Sequence, residues 1–279
     1  MDTKDLKLED FDYIKEDEVV HISEAIDPKK RCGDRYKTNF EIFDKAMNGG
    51  FKDGDLVIIS GISGQGKTSF AQTLTYNLCK NAIPCLWFSY EVSVEHLDNK
   101  FKKMGIESFY SIYTPKKNTT GKLDWVKHKI KESWVKHATK VVFIDHIDFL
   151  TPSDIKTQDN ETIALKKIAT ELKGIAIELG IVIVCMAHLK KLPDGKEPDM
   201  QDIGYSAGIY QLSDYVFMIM REKVNTGKGL KRDYEGDIYT NNSIIKIVKN
   251  RETGSTKFIK VSYEREKFSQ LTNNIEPDN

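Results

Sequence analysis

The chain has 279 residues, enough for one large α/β domain or two small domains. Hydrophobic residues make up 39% and charged residues 30%, a balance that allows a packed core and excludes a wholly disordered chain. The formal net charge is +0, so no overall positive field indicates a nucleic-acid partner, although residues 221–260 hold ten basic against five acidic residues.

Residues 1–35 are predicted to form a polar arm that is either disordered or links one subunit to another. The first 20 residues include eight acidic and three basic ones, and the apolar residues of the arm are irregularly spaced. The acidic start does not resemble a secretory signal peptide.

A densely patterned region, residues 36–268, is predicted to form a single domain, with 269–279 as a tail. Its early strands alternate with helices, which predicts an α/β fold with a mostly parallel sheet flanked by helices. Its late strands follow one another directly, which predicts antiparallel strands at one edge. The predicted helices are 40–47, 69–80, one after Ser93, 123–137 and 161–179, and the predicted strands are 56–59, 85–89, 141–144, 181–187, 215–220, 243–248 and 257–263.

A glycine-rich loop, Gly61-Ile-Ser-Gly-Gln-Gly-Lys-Thr68, connects the strand 56–59 to the helix 69–80. It matches the phosphate-binding pattern G-x-x-x-x-G-K-T, in which backbone N–H groups cradle phosphates, the lysine reaches the β- and γ-phosphates and the threonine ligates Mg²⁺. The alternative is an ordinary glycine-rich turn. The predicted nucleotide-binding residues here are Gly61, Ser63, Gly64, Gln65, Gly66, Lys67, Thr68 and Ser69.

Three other predicted strands end in polar residues that suit the same chemistry. Asp145 follows the apolar run Val141-Val-Phe-Ile and is predicted to hold Mg²⁺ together with Thr68. Glu91 ends a strand expected beside the phosphate loop, where it can orient the attacking water, although a surface glutamate is the alternative. His188 ends a third strand and could sense the γ-phosphate, although a lone histidine is more often structural.

In this order, the segments resemble the RecA-like ATPase domain of DnaB-type hexameric helicases, and within that group the phage primase-helicase and Twinkle branch. The resemblance covers residues 36–268 and includes Phe88-Ser-Tyr-Glu91, Asp145-His-Ile-Asp148 and His188-Leu-Lys-Lys191. It implies a RecA-like P-loop ATPase core that uses ATP and Mg²⁺, with Glu91 as the catalytic glutamate and His188 as the γ-phosphate sensor.

The carboxyl-terminal third extends the resemblance. Lys249-Asn-Arg251 resembles the strand end that carries the family's arginine finger, which reaches ATP on the adjacent subunit and has a supporting lysine two residues before it. Tyr263 falls where the phage branch stacks an aromatic ring on the base. The alternative for Arg251 is a surface arginine that pairs with Glu252 or Glu266.

Residues 206–214 resemble the loop and helix that face DNA in the central channel of the family, Gln211 among them. The family's Arg-Gly-Ser run is here Gly204-Tyr-Ser206, so the usual arginine is missing, and lysines of the preceding loop are expected to contact phosphates instead. The predicted DNA-binding residues are Lys190, Lys191, Lys196, Tyr205 and Ser206.

The predicted function is that of an ATP-dependent, ring-forming helicase or translocase on single-stranded DNA in replication, acting as a homo-hexamer with a separate primase or loader. One alternative is a RecA- or KaiC-like, DNA-stimulated ATPase of recombination or repair. Another is a scaffold that uses ATP only to assemble, which the presence of Glu91 and Arg251 disfavours because a scaffold needs neither.

The cysteines indicate a reducing compartment. Cys32, Cys79, Cys85 and Cys185 show no C-x-x-C spacing, which gives no sign of a zinc site, and Cys85 and Cys185 lie in apolar runs that predict burial. No apolar run approaches the ~20 residues of a membrane span. The expected location is therefore the cytoplasm of a bacterium or a phage-infected cell, with no membrane partner.

Overall fold

A sheet with the strand order β11-β10-β9-β8-β3-β7-β6-β4-β5 organises the computed structural model, which describes residues 34–106, 111–118, 123–152, 158–188, 207–223 and 239–271. From β8 to β5 all pairings are parallel, whereas β8, β9, β10 and β11 pair antiparallel at one side. The predicted α/β class, with a mostly parallel sheet and antiparallel strands at one edge, is confirmed.

The helices and strands have the following bounds. The helices are α1 (Glu41–Ala46), α2 (Lys67–Lys80), α3 (Val94–Lys103), α4 (Leu123–His137), α5 (Gln158–Leu179) and α6 (Ala207–Leu212), and a 3₁₀ turn spans Ile147–Leu150. The strands are β1 (Arg35–Tyr36), β2 (Phe51–Lys52), β3 (Leu56–Gly61), β4 (Cys85–Ser89), β5 (Ile112–Tyr113), β6 (Val141–Asp145), β7 (Val182–His188), β8 (Tyr215–Lys223), β9 (Tyr239–Asn250), β10 (Phe258–Glu264) and β11 (Lys267–Gln270).

The central strands are apolar on both faces because helices cover both faces of a parallel sheet. Val57 and Ile59 of β3 belong to one buried cluster, and Leu56 and Ile58 belong to another, as the two-residue period of a strand requires. The first cluster includes apolar residues of α1, α2 and α3, and the second includes those of α4 and α5. The sheet therefore lies between two packed layers, and this packing fixes the positions of its strands.

Four short strands were not predicted. The pair β1–β2 forms a separate two-stranded sheet of two residues per strand. The edge strand β5 is also two residues long and only half buried, and β11 completes the other edge by pairing with β10. Such short segments carry no readable periodicity, because long-range pairing rather than local pattern creates them.

The buried thiols agree with the sequence-based expectation. Cys85 and Cys185 are fully buried in β4 and β7, and these two cysteines and Cys79 are free. Burial raises the pKa of the Cys185 thiol, which keeps it an inert core group. None of the described helices is long and apolar enough to cross a membrane.

Candidate active site

The glycine-rich loop lies at the carboxyl end of the parallel strands, between β3 and α2. Gly66 caps α2 with a φ of 101°, a left-handed conformation that favours glycine. A Cβ on Gly61 would lie 2.8 Å from the carbonyl oxygen of Ile219 in β8, so only glycine fits there. Ser63 and Gly64 are exposed at the tip of the loop, where the backbone is accessible to a ligand. The loop thus delivers the first turn of a 14-residue helix to an open site.

Lys67 is the positive charge of this loop. Its ammonium group donates hydrogen bonds to the carbonyl oxygens of Gly61 (2.8 Å) and Ile62 (3.2 Å) and lies 3.1 Å from Nδ1 of His188. Burial lowers the pKa of Lys67, and the carboxylates of Glu91 and Asp145 oppose that effect. The group is therefore a buried cation set among acids, at the position that the phosphate-loop pattern requires.

Thr68 and Asp145 form an oxygen-rich pair. Thr68 Oγ1 donates a hydrogen bond of 2.8 Å to Oδ2 of Asp145. Asp145 is 1% exposed, and burial raises its pKa to about 6. A hydroxyl and a buried carboxylate are ligands that Mg²⁺ prefers, so this pair fits the predicted Mg²⁺ site.

Glu91 lies two residues beyond the end of β4. The sequence-based expectation placed its strand beside the phosphate loop, which is wrong, because β7 and β6 separate β4 from β3. Glu91 nevertheless reaches the site, since its Oε1 lies 3.3 Å from Nε2 of His188 and 3.2 Å from Nε2 of His146. The backbone N–H of Tyr90 donates to the carbonyl oxygen of Asp145, which joins the ends of β4 and β6.

His188 connects the lysine to the glutamate. Burial, followed by the nearby charge of Lys67, lowers its pKa, which favours the neutral imidazole. Because an ammonium group can only donate, Nδ1 of His188 accepts from Lys67 and Nε2–H donates to Glu91. The ring therefore links the Lys67 ammonium group to the carboxylate of Glu91.

Glu91, His146 and His188 each bring one ligand atom to within 4.8 Å of the others. Two imidazoles and a carboxylate suit zinc-like metals better than Mg²⁺. The proton inferred on Nε2 of His188 argues against a metal at this nitrogen and favours a hydrogen-bonded cluster.

Two other predicted nucleotide-binding side chains, Gln65 in the loop and Ser69 in α2, contact neighbouring elements. Gln65 is buried, and its amide oxygen accepts a hydrogen bond of 2.6 Å from the backbone N–H of Arg221, which ties the loop to β8. Ser69 Oγ accepts from Lys100 Nζ at 3.3 Å. These contacts hold the loop on β8 and the start of α2 on α3.

Tyr263 lies next to the first turn of α2. Its pKa is raised to about 12, mainly by burial and by the hydrogen bond that its hydroxyl donates to Glu266 at 2.9 Å, while Ser69 lowers it. Lys100 lies 5.7 Å from the centre of its ring. The ring therefore lies beside Ser69 in the first turn of α2, the helix that follows the loop.

Lys249 and Arg251 lie at the other end of the sheet. Asn250, which lies between them, pairs with Tyr215, and Tyr215 pairs with Val57. Lys249 and Arg251 therefore lie level with the start of β3, whereas the phosphate loop follows the end of β3. The alternative expected Arg251 to pair with Glu252 or Glu266, and this pairing is not found. Its guanidinium donates to Asp214 Oδ1 (3.2 Å) and to the carbonyl oxygen of Gln211 (2.6 Å).

Lys249 contacts the same helix end as Arg251. Its ammonium group donates to the carbonyl oxygens of Tyr210 and Gln211 at the end of α6. Burial, followed by the charge of Arg251, lowers its pKa to about 8. Lys249 and Arg251 therefore both donate to carbonyl oxygens at the carboxyl end of α6, the helix that precedes β8.

The structure brings together five predicted residues, Lys67, Thr68, Glu91, Asp145 and His188. Sequence reasoning missed His146 and Asp148 as members of this site, although Asp145-His-Ile-Asp148 places an imidazole and a second acid directly after a strand that ends in the site. The predicted DNA-binding residues Lys190, Lys191, Lys196, Tyr205 and Ser206 lie outside the described residues.

Comparison with known proteins identifies one family across most of the chain. A family model described as the DnaB-like helicase C terminal domain matches residues 36–108 and 111–273. The probable replicative DNA helicase of Trieres chinensis is 25% identical over 210 residues, 64% of this chain and 46% of that protein. The replicative DNA helicase DnaB of Haemophilus influenzae is 27% identical over 225 residues, 67% of this chain and 46% of that protein. The chain thus spans less than half the length of these relatives.

Two solved structures share the fold. One, described as an ATPase domain, superposes with a TM-score of 0.71 and 18% identity, over 90% of this chain and 96% of that one. A DnaB-like replicative helicase, solved in a study of its interactions with primase, gives a TM-score of 0.70 and 19% identity, over 90% of this chain and 65% of that one.

Proposed function

Because the chain belongs to the family of DnaB-like helicase C-terminal domains, we propose that it is the ATP-hydrolysing motor of a ring-forming replicative helicase that moves along single-stranded DNA. One observation carries the proposal. Lys67, Glu91 and His188 gather at the carboxyl end of the parallel strands, while Arg251 lies at the amino end of the same sheet. This arrangement suits a catalytic site shared between neighbouring subunits.

The phosphate end of ATP would bind the loop that joins β3 to α2. Backbone N–H groups of the loop would hold the phosphate oxygens, and Lys67 would place its charge on the β- and γ-phosphates. Thr68 and Asp145 would hold Mg²⁺, which neutralises charge on the phosphates when bound. Tyr263 would contact the base from the side of β10.

Glu91 would orient the attacking water. It is the carboxylate that contacts His188, which in turn contacts Lys67, so a change at the γ-phosphate could pass to Glu91 through one imidazole. Orientation of water by a polar side chain is a recurring part of phosphoryl transfer in phosphate-loop enzymes.

Arg251 would complete the site of a neighbouring subunit. Its backbone N–H donates to the carbonyl oxygen of Asp214, and Asp214 Oδ2 accepts from the backbone N–H of Leu56 at the start of β3. From Leu56 to Gly61 the strand advances about 16 Å, so Arg251 cannot reach its own phosphate loop. A head-to-tail contact from one subunit to the next closes a ring when its rotation divides a full turn.

The partners of this motor follow from the same proposal. A homo-hexamer would enclose single-stranded DNA, with Lys190, Lys191, Lys196, Tyr205 and Ser206 on the DNA side, and a separate protein would act as primase or loader. One of the structural relatives was solved in a study of primase interactions. The buried free thiols suit the cytoplasm of a bacterium or an infected cell.

The test uses the whole chain, ATP, Mg²⁺ and a forked DNA duplex with a single-stranded tail. Strand displacement that depends on ATP hydrolysis supports the helicase. Hydrolysis stimulated by single-stranded DNA without displacement would identify a RecA- or KaiC-like ATPase instead, and nucleotide binding without turnover would identify an assembly scaffold. Lys67→Ala serves as the inactive control, and Lys80→Ala, on the exposed end of the same helix, serves as the matched active control.

A further inference from the structure

We propose that His146 is a positioning residue that holds Glu91 in the orientation needed to direct the attacking water; this inference rests on the proposed ATPase function. His146 follows β6 directly, and its side chain is 12% exposed. Its Nε2 lies 3.2 Å from Glu91 Oε1, and its Nδ1 lies 2.9 Å from Asp148 Oδ2. The buried Nδ1 makes no hydrogen bond despite this distance, so the ring lies between two carboxylates of the site and its nearest contact with Glu91 is through Nε2.

The oxygen that His146 contacts is the one that His188 contacts. His188 Nε2 lies 3.3 Å from the same Glu91 Oε1, and the two imidazole rings meet edge to face, with centres 4.3 Å apart and planes at 80°. The two rings therefore approach one carboxylate oxygen from different directions.

Glu91 needs such a support. It lies beyond the end of β4, and its side chain is 36% exposed, so strand pairing and core packing do not hold it. A free glutamate side chain loses substantial rotamer entropy when it is fixed in one orientation. Contacts from two imidazoles to Oε1 supply that restraint before ATP binds, which is the general requirement for a preorganised site.

His146 itself is held from several sides. The centre of its ring lies 4.6 Å from the centre of the Phe149 ring. Phe149 in turn stacks on Tyr90, the residue before Glu91. The backbone N–H of Tyr90 donates to the carbonyl oxygen of Asp145, the residue before His146. Backbone and rings together therefore fix Glu91 and His146 relative to each other, even though they come from different strands.

The experiment compares His146→Leu, which removes both ring nitrogens but keeps bulk, with His146→Gln, which keeps a polar N–H donor. We expect His146→Leu to lower kcat for ATP hydrolysis by up to about 100-fold, the loss that a small misplacement of a catalytic group can cause. Equilibrium binding of a fluorescent ATP analogue should be unchanged, and His146→Gln should recover part of the rate. His128→Leu, an exposed histidine of α4, is the matched control.

A double variant separates positioning from a direct role. If His146 acts through Glu91, His146→Leu should slow single-turnover hydrolysis no further in a Glu91→Gln background. The proposal is overturned if His146→Leu keeps the wild-type kcat, if the two changes add fully, or if nucleotide affinity and kcat fall together in both the Leu and Gln variants. Normal turnover of Glu91→Gln alone would instead refute the role of Glu91 in the proposed function.

Discussion

Thr68 Oγ1 donates a 2.8 Å hydrogen bond to Asp145 Oδ2, although β3, which leads to Thr68, does not pair with β6, which ends at Asp145. Strand β7 lies between β3 and β6, and the contact forms because Thr68 sits on the first turn of α2, above the ends of the strands. The two oxygens thereby form the part of the site best suited to a hard cation.

We expect Asp145→Asn to weaken the response of ATP hydrolysis to Mg²⁺, because the variant keeps the shape of the side chain and removes its charge. Much more Mg²⁺ should be needed for half-maximal rate, and the maximal rate should fall. The measurement is ATPase rate against Mg²⁺ concentration, with Asp98→Asn on the exposed face of α3 as the control. An unchanged Mg²⁺ dependence would contradict the assignment.

Lys67→Ala should abolish ATP binding or hydrolysis, because the β- and γ-phosphates lose their point charge. The fold should survive, since the Lys67 ammonium bonds to carbonyl oxygens of its own loop and to His188 rather than to the core. Binding of a fluorescent ATP analogue and circular dichroism check both statements. Lys80→Ala in the same helix should behave as wild type, and normal turnover of Lys67→Ala would remove the phosphate-loop assignment.

Arg251 should act in trans. Arg251→Ala should lower the rate by ~10³–10⁵, as for arginine fingers of other phosphate-loop enzymes. The loss of its half-exposed ion pair with Asp214 should cost only about 0–1 kcal/mol of stability, because Asp214 keeps its contact with Lys173. The measurement is the ATPase activity of a mixture of Arg251→Ala and Lys67→Ala subunits.

Each variant of that mixture is expected to be inactive alone, yet mixed rings contain some interfaces with both residues intact. Recovered activity on mixing therefore indicates a shared site. Arg251→Lys keeps the charge without the guanidinium fork and should remain strongly impaired. Full activity of Arg251→Ala as a dispersed monomer would refute both the finger and the ring.

Asp55 should make the protein less stable as the pH rises. Burial raises its pKa to about 7 in the folded state, from an ordinary value near 4. Between these values the folded chain binds more protons than the unfolded chain, so the contribution of Asp55 to stability is complete below about pH 4 and is lost progressively up to about pH 7.

Asp55→Asn removes this titration and keeps an amide oxygen to accept from the backbone N–H of Lys52. The variant should therefore be more stable than wild type at about pH 8, by on the order of a few kcal/mol, and nearly equal to it at about pH 4. Urea unfolding across this pH range measures the difference. Parallel pH profiles for the two proteins would contradict the prediction.

Binding of single-stranded DNA should weaken steeply with salt, because lysine-to-phosphate contacts release counterions. Replacing Lys190, Lys191 and Lys196 together by alanine should flatten the slope of log affinity against log salt by about 2. A control triple variant changes the exposed lysines Lys45, Lys80 and Lys103. Equal slopes for the two triple variants would place the DNA contacts elsewhere.

The local patterns of the sequence predicted the parallel core and placed the candidate site residues at one end of it, while the roles of Glu91 and His188 were implied by the family resemblance. The apolar runs of β3, β4, β6 and β7 are β-branched and aromatic, and each ends in or near a polar residue or a glycine. Because strands of this kind are buried on both faces and share one direction, their ends meet at one end of the sheet. Phosphate loop, aspartate, glutamate and histidine could therefore be assigned to one place without knowledge of the strand order.

The tertiary structure alone decided which atoms touch. Strand order separates β4 from β3, and the Glu91 carboxylate contacts His188 and His146. The pairing register places Arg251 on Asp214, at the opposite end of the sheet from its own phosphate loop. Periodicity records which face of a strand is buried, but register and strand order arise from contacts between residues far apart in the chain, and no local pattern contains them.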